Sequence, residues 1–279
     1  MADKTGTHPD PPTASVEANE RRLPPIQQYW INRLIRARRE RGDTRHIRDM
    51  LEFAGYPAET IAAAERWAES NPIAEPRILH LRNYLDPELC QRLIDDGDIS
   101  AIQEGSVTEQ RGSTLSQVKS EARIVDALPW RRRLKDAIML IQSICREQVN
   151  AFFGTSIAQF EYPGLYRYRP GGHYEAHVDA DAKNSATGCW YRQHPRDFSL
   201  VIYLNDAFSG GNLVFDNFGV SILPGLGDVV CFPSDFRYIH AAKPVSEGER
   251  FCMVTWLQTH DSVPVPYREE GLATRFVVG

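Results

Sequence analysis

The chain lacks paired cysteines. Its five, Cys90, Cys145, Cys189, Cys231 and Cys252, are scattered, odd in number and never spaced C-x-x-C. That argues against a disulfide framework, and their mostly apolar neighbours read as reduced, buried thiols of a cytoplasmic protein. Long apolar runs are also missing: none approaches the roughly 20 residues that a bilayer-spanning helix needs. Positive charge is not in excess either. With 32 Lys and Arg against 37 Asp and Glu, the net charge of −5 gives no electrostatic reason to expect nucleic acid or a membrane as partner. The opening MADKTGTHPDPPTAS has no basic-then-apolar signal pattern and reads as a disordered lead. No internal repeat is visible.

What is present is a globular composition, 42% hydrophobic and 25% charged over 279 residues, enough for one large core and a small second unit. Three helices are predicted first. Ile26, Trp30 and Leu34 share a face before Gly42, Ile47, Met50, Leu51 and Ala54 share another before Gly55, and a third helix runs from Pro57 to about Ser70. The arginines of the first two (Arg33, Arg36, Arg38, Arg39, Arg41, Arg45, Arg48) form a basic face, either a solvated surface or a docking site for a carrier protein or another acidic partner. RILHLRNYL is strand-like, and Asp86-Pro87 has the form of an N-cap with proline at the first helical position. A loop-rich stretch follows. The spacing of Leu134, Ile138, Ile141, Cys145, Val149 and Phe152 predicts the longest helix, starting near Asp126 and stopping at Gly154. Beyond Gly154 the chain is a series of short strands, which after a run of helices predicts a double-sheet barrel backed by helices.

The stretch GGHYEAHVDAD (171–181) places His177 and Asp179 two apart, the spacing at which a strand turns both side chains to one face. His240, at the end of a predicted strand, offers a third ligand. An isolated H-x-D is a weak signal, and a lone strand histidine is more often a core or surface residue than a ligand. The ordered set differs: H-x-D, a hairpin region, His240, then Arg250 opening RFCMVTWL. Two imidazoles and one carboxylate suit Fe(II) and leave a face of the octahedron open, and a guanidinium fork can hold a distal carboxylate by two hydrogen bonds. The same trio can hold zinc in a hydrolase, but that leaves Arg250 unexplained and supplies no general base.

YRPGGHYEAHVD (168–179), YLN (203–205), SGGNLVF (209–215), LPGLGDVVCFPS (223–234) and HAAKPVSEGER (240–250) resemble the iron(II)- and 2-oxoglutarate-dependent dioxygenases of the prolyl 4-hydroxylase-like branch. The resemblance implies an α+β fold, a double-stranded β-helix (jelly-roll, cupin-like) core backed by helices; the small N-terminal helical extension comes from the spacing alone and has no counterpart in the family. The corresponding divisions are a disordered lead (1–23), the helical extension (24–72), the dioxygenase domain (73–260) and a C-terminal tail (261–279). It also implies Fe(II), 2-oxoglutarate and O2, with His177, Asp179 and His240 as iron ligands and Arg250 holding the C5 carboxylate of 2-oxoglutarate. Tyr168 and Tyr203 stand as further cosubstrate contacts or as barrel-filling aromatics. In halogenating relatives the position of Asp179 carries a small residue, so its carboxylate points to hydroxylation.

The implied substrate is a small molecule or a free or carrier-bound amino acid; a peptidyl prolyl hydroxylase and a non-catalytic 2-oxo acid or metal sensor are the alternatives. Substrate choice is expected in the loops. ADAKNSATGCWYRQHPRD (180–197) reads as a lid, with Trp190 and Tyr191 giving apolar weight and Arg192, His194 and Arg196 available to a carboxylate or amide. The second candidate loop is EGSVTEQRGSTLSQ (104–117).

Overall fold

The computed structural model describes residues 34, 37, 44–70, 76–111, 114–183, 190–262, 265 and 274–279. The lead, and the first predicted helix apart from Leu34 and Ala37, lie outside them. Helices α1 (Arg45–Phe53) and α2 (Ala58–Ser70) are followed by strand β1 (Leu79–Leu81) and helix α3 (Pro87–Asp95). Strands β2 (Gln103–Glu104), β3 (Ser106–Arg111), β4 (Thr114–Lys119), β5 (Arg123–Ile124) and β6 (Asp126–Leu128) lead to helix α4 (Leu134–Ile144). A π-helical turn, Cys145–Val149, joins it to α5 (Asn150–Phe153). Then come β7 (Ile157–Glu161), β8 (Gly164–Tyr168), β9 (His173–His177), β10 (Asp181–Lys183), β11 (Trp190–Arg192), β12 (Phe198–Tyr203) and β13 (Phe208–Gly210). The last are β14 (Leu213–Phe215), β15 (Val220–Ile222), β16 (Val229–Pro233), β17 (His240–Ala242), β18 (Val245–Gly248), β19 (Arg250–Thr259) and β20 (Arg275–Val277).

The major sheet runs β1-β16-β12-β19-β8-β6-β2, with β7 also on β19 and β20 on β7; the minor sheet runs β15-β14-β17-β9-β5. All pairings are antiparallel, and the two sheets face each other as a jelly roll. Strand periodicity explains why. Along β12, Leu200 and Ile202 pack with the helices, through Ile141, Ile144, Cys145 and Val149. Val201 and Tyr203 turn the other way, onto Leu213, Phe215 and Ile222 of the minor sheet. β16 repeats the alternation: Val229 and Cys231 face the helices, Val230 and Phe232 the interior. Leu34, Ile47, Leu51, Ile61, Ala64 and Ala68 make a separate small core, whereas Met50 and Ala54, expected on the same face as Ile47 and Leu51, are exposed. Among the described residues no helix is long and apolar enough to cross a membrane.

Asp86 caps α3 by accepting from Leu89 N, and Gly154 ends α5 with φ of 65°, both as predicted. The helix predicted from Asp126 starts eight residues later. Asp126–Leu128 instead pairs with β8, and the buried Asp96 carboxylate takes the backbone N–H groups of Arg131, Arg132 and Arg133 at 2.8–3.0 Å. A tertiary hydrogen-bond acceptor thus decides where the helix begins. The expected loop over 104–117 holds a hairpin, β3 on β4 from Ser106↔Lys119 to Arg111↔Thr114. The expected tail is not all tail: β20 adds a strand beside β7, and Val278 is buried in the core.

Candidate metal centre

His177 ends β9 and His240 opens β17, and the two are directly opposed in the antiparallel register. Asp179 lies just past the end of β9. The three side chains bring one ligand atom each within 4.8 Å of one another. Asp179 Oδ1 is 3.6 Å from His177 Nε2, and Oδ2 is 3.4 Å from His240 Nε2.

Each of the three is held from behind. His177 Nδ1 donates to the Glu175 carbonyl at 2.7 Å and His240 Nδ1 to the Tyr238 carbonyl at 3.0 Å, which leaves both Nε2 atoms as acceptors toward the cluster. The Tyr174 ring stacks on His177, centroids 3.5 Å apart. Ser199 donates to Asp179 Oδ2 at 2.6 Å and is itself bonded to Ser234, both hydroxyls being buried. Arg196 donates to the Asp179 backbone carbonyl at 3.1 Å. Burial, with His177 beside it, brings the His240 imidazole down to about 4, so it is neutral at neutral pH. Burial opposes ionisation of Asp179, but His240, His177 and Ser199 outweigh it and hold the carboxyl well below the usual range. Two imidazoles turning Nε2 to an ionised carboxylate are the donor set that suits a divalent cation with open positions.

A cavity of about 50 Å³ joins this cluster to Arg250. Arg250, Cys252, Val254 and Trp256, alternate residues of β19, line it together with Tyr168 and Tyr203. Arg250 is 2% exposed; its guanidinium lies 3.9 Å over the Tyr168 ring and donates from Nη1 to the Gly211 carbonyl. Its buried Nε has no hydrogen-bond partner among the described residues. An orphaned donor on a buried cation, facing a cavity shared with a metal-ligand triad, fits an anionic cosubstrate. Gly211 has φ of 68°, and an added Cβ would stand 3.2 Å from Arg250 Nη1. Asp228, read as a turn residue in GDVVCF, accepts from Asn83 N and Gly225 N and pairs with His80 at 2.9 Å.

A wider cleft of about 770 Å³ opens beside the cluster. His194 and Arg196 line it, whereas Trp190, Tyr191 and Arg192 do not. Trp190 stacks on Phe236, and Arg192 is taken by Asp181 and Asp197 at 2.9 and 3.4 Å. Arg196 is taken too: Glu161 holds it by two 2.7 Å bonds, and its guanidinium lies 3.8 Å over Trp256. Near the cluster, residues 181–192 form a two-stranded hairpin, β10 on β11, with 184–189 outside the described residues. Sequence reasoning missed Ser199, Arg123, Tyr174 and Trp256. Only Trp256 carries a local signal, its even spacing from Arg250 on one strand.

Residues 163–258 match the model of the 2OG-Fe(II) oxygenase superfamily. That stretch is a 2OG-Fe(II) oxygenase domain. It contains the whole triad and Arg250. A PKHD-type hydroxylase of Stenotrophomonas maltophilia (strain R551-3) is 30% identical over 156 residues, covering 54% of this chain and 65% of that protein. The chain thus spans just under two thirds of that relative's length. Prolyl 4-hydroxylase 1 of Arabidopsis thaliana is 25% identical over 238 residues, 77% of this chain and 81% of that one. A crystal structure of a Pseudomonas putida prolyl-4-hydroxylase aligns at 20% identity with a TM-score of 0.48, over 66% of this chain and 94% of that one.

Proposed function

We propose that the protein is an iron(II)- and 2-oxoglutarate-dependent dioxygenase that hydroxylates an unactivated C–H of a small molecule or of a free or carrier-bound amino acid, releasing succinate and CO2. The observation that carries this reading is the shared cavity, with a three-ligand cluster and a buried guanidinium on its walls. His177, Asp179 and His240 would hold the iron. The bound iron supplies activation of dioxygen at the expense of the 2-oxo acid.

The chain's own residues bind, orient and exclude water. Arg250, with its unpartnered Nε, takes the far carboxylate of 2-oxoglutarate, and the ring of Tyr168 holds the guanidinium in plane. Tyr168 and Tyr203 stay protonated, since burial raises both phenols, so each can donate to that carboxylate. Phe215 and Phe232 pack around His240 with centroids at 5.8 and 4.7 Å, keeping water from the far side of the ligand cluster.

A peptidyl prolyl hydroxylase is the second reading, favoured by the name of the Arabidopsis relative. Succinate formation from 2-oxoglutarate, measured with Fe(II) and oxygen against free amino acids and Pro-containing peptides, tests both. Stimulation by either class supports the dioxygenase reading and selects the substrate. Failure of the protein to bind Fe(II) and 2-oxoglutarate anaerobically would reject it.

A further inference from the structure

Two parts of the chain stand apart from the metal centre: helices α1 and α2, and the β10–β11 hairpin. Phe236 joins them. Its ring centroid lies 6.4 Å from that of Trp67, in the last turn of α2, and 5.7 Å from that of Trp190 on β11, with which it stacks at 15°. Trp67 also packs against the small helical core, so its ring belongs to the helices as much as to Phe236. Trp190, expected to give apolar weight over a substrate, turns to this stack and does not line the cleft.

The hairpin needs support of this kind. Among the described residues β10 and β11 pair only with each other, three residues to a strand, and join neither main sheet. An isolated two-stranded hairpin is marginal in water. Part of what holds this one comes from outside it. Phe236 donates its backbone N–H to Asp181 Oδ2 at 2.9 Å, while Asp181 Oδ1 holds Arg192 at 2.9 Å across the hairpin. Both ends of the hairpin then enter the cleft wall, Asp181 and Ala182 from β10 and Gln193 and His194 just past β11. Phe236 opens the short turn Phe236–Tyr238, and the Tyr238 carbonyl accepts from His240 Nδ1. One ring thus lies between the helical extension, the cleft wall and the approach to a metal ligand.

We propose that the helical extension braces the cleft: Trp67, acting through Phe236 on Trp190, is a positioning residue that holds β10 and β11 as a wall of the substrate's path. This rests on the dioxygenase reading only in taking the cleft for that path. It gives residues 44–70 a part in the reaction that is separate from holding iron or 2-oxoglutarate. An aromatic pair is worth up to about tenfold in an equilibrium beyond the area it buries, so its loss is felt as local opening of the hairpin.

The test is amide hydrogen exchange, read by mass spectrometry on the full chain with Mn(II) and 2-oxoglutarate present. In Trp67→Ala, Asp181–Lys183 and Trp190–Arg192 exchange at least about fivefold faster, while Phe198–Tyr203 of β12 changes by less than about twofold. Trp67→Phe restores most of the protection, and Trp67→Leu stands in if the alanine variant does not fold. In a Phe236→Leu background Trp67→Ala adds less than about twofold, because the path is already cut. Affinities for Mn(II) and 2-oxoglutarate stay within about twofold. Where a free amino acid or a Pro-containing peptide stimulates succinate formation, its KM rises by about the same factor as the exchange and kcat hardly moves. Faster exchange confined to α1 and α2 means that Trp67 serves its own helices alone, and overturns the proposal. A tenfold loss of Mn(II) affinity, or a KM that stays put beside a loosened hairpin, overturns it too. Failure of the dioxygenase reading is seen separately, as unaltered protein that takes up neither Mn(II) nor 2-oxoglutarate.

Discussion

The Ser199 hydroxyl donates to Asp179 Oδ2, the carboxylate oxygen that lies 3.4 Å from His240 Nε2. This bond sets the rotation of the carboxylate before any cation arrives. Ser199→Ala should lower Mn(II) affinity by about 10- to 100-fold with little change in melting temperature, and Ser199→Thr should restore most of it. Titration followed by electron paramagnetic resonance reads it directly. Unchanged affinity in the alanine variant would leave the serine with packing alone.

Arg250→Ala should weaken 2-oxoglutarate by about 2–5 kcal/mol, because a desolvated charge pair is lost while the Tyr168 ring keeps its place. KM for the cosubstrate rises far more than kcat falls. A KM that does not move would mean the far carboxylate is held elsewhere.

A cation that binds the folded cluster and not the unfolded chain must raise the melting temperature. Addition of Mn(II) to chelator-treated protein should do so in a concentration-dependent way. His177→Ala should remove the rise without changing the melting temperature of the metal-free form much, since that ring is only half-buried. A rise that survives the substitution would point to another site for the ion.

Asp96→Ala deprives three successive backbone N–H groups of their acceptor at the start of α4. A loss of about 2 kcal/mol is expected, with Asp96→Asn costing less because one amide oxygen can still accept. Urea denaturation of the two variants measures it.

The candidate set was legible because each member announces itself by residue type at fixed strand spacing: His177 with Asp179, then His240, then Arg250. The two-faced alternation of FSLVIYL and GDVVCF likewise made the sheet readable. What was hidden depends on the third dimension. Ser199 is one small polar residue in an apolar strand, and only folding brings it to Asp179, twenty positions away. Arg123 sits on a two-residue strand with no periodic pattern to mark it. Arg192 and Arg196 looked available in sequence, yet Asp181, Asp197 and Glu161 take them up. The start of α4 was misplaced for the same reason, because helical spacing near Asp126 cannot register a carboxylate thirty positions upstream.

The strand at Arg275–Val277 has a practical consequence. It covers the outer margin of β7, and Arg146 and Gln142 clasp the carbonyls of Val278 and Val277. Shortening the chain to residue 273 would strip that cover and leave a row of unsatisfied amides, a template on which a second molecule can dock. Proteins trimmed there should clump on concentration, whereas the full-length chain should not.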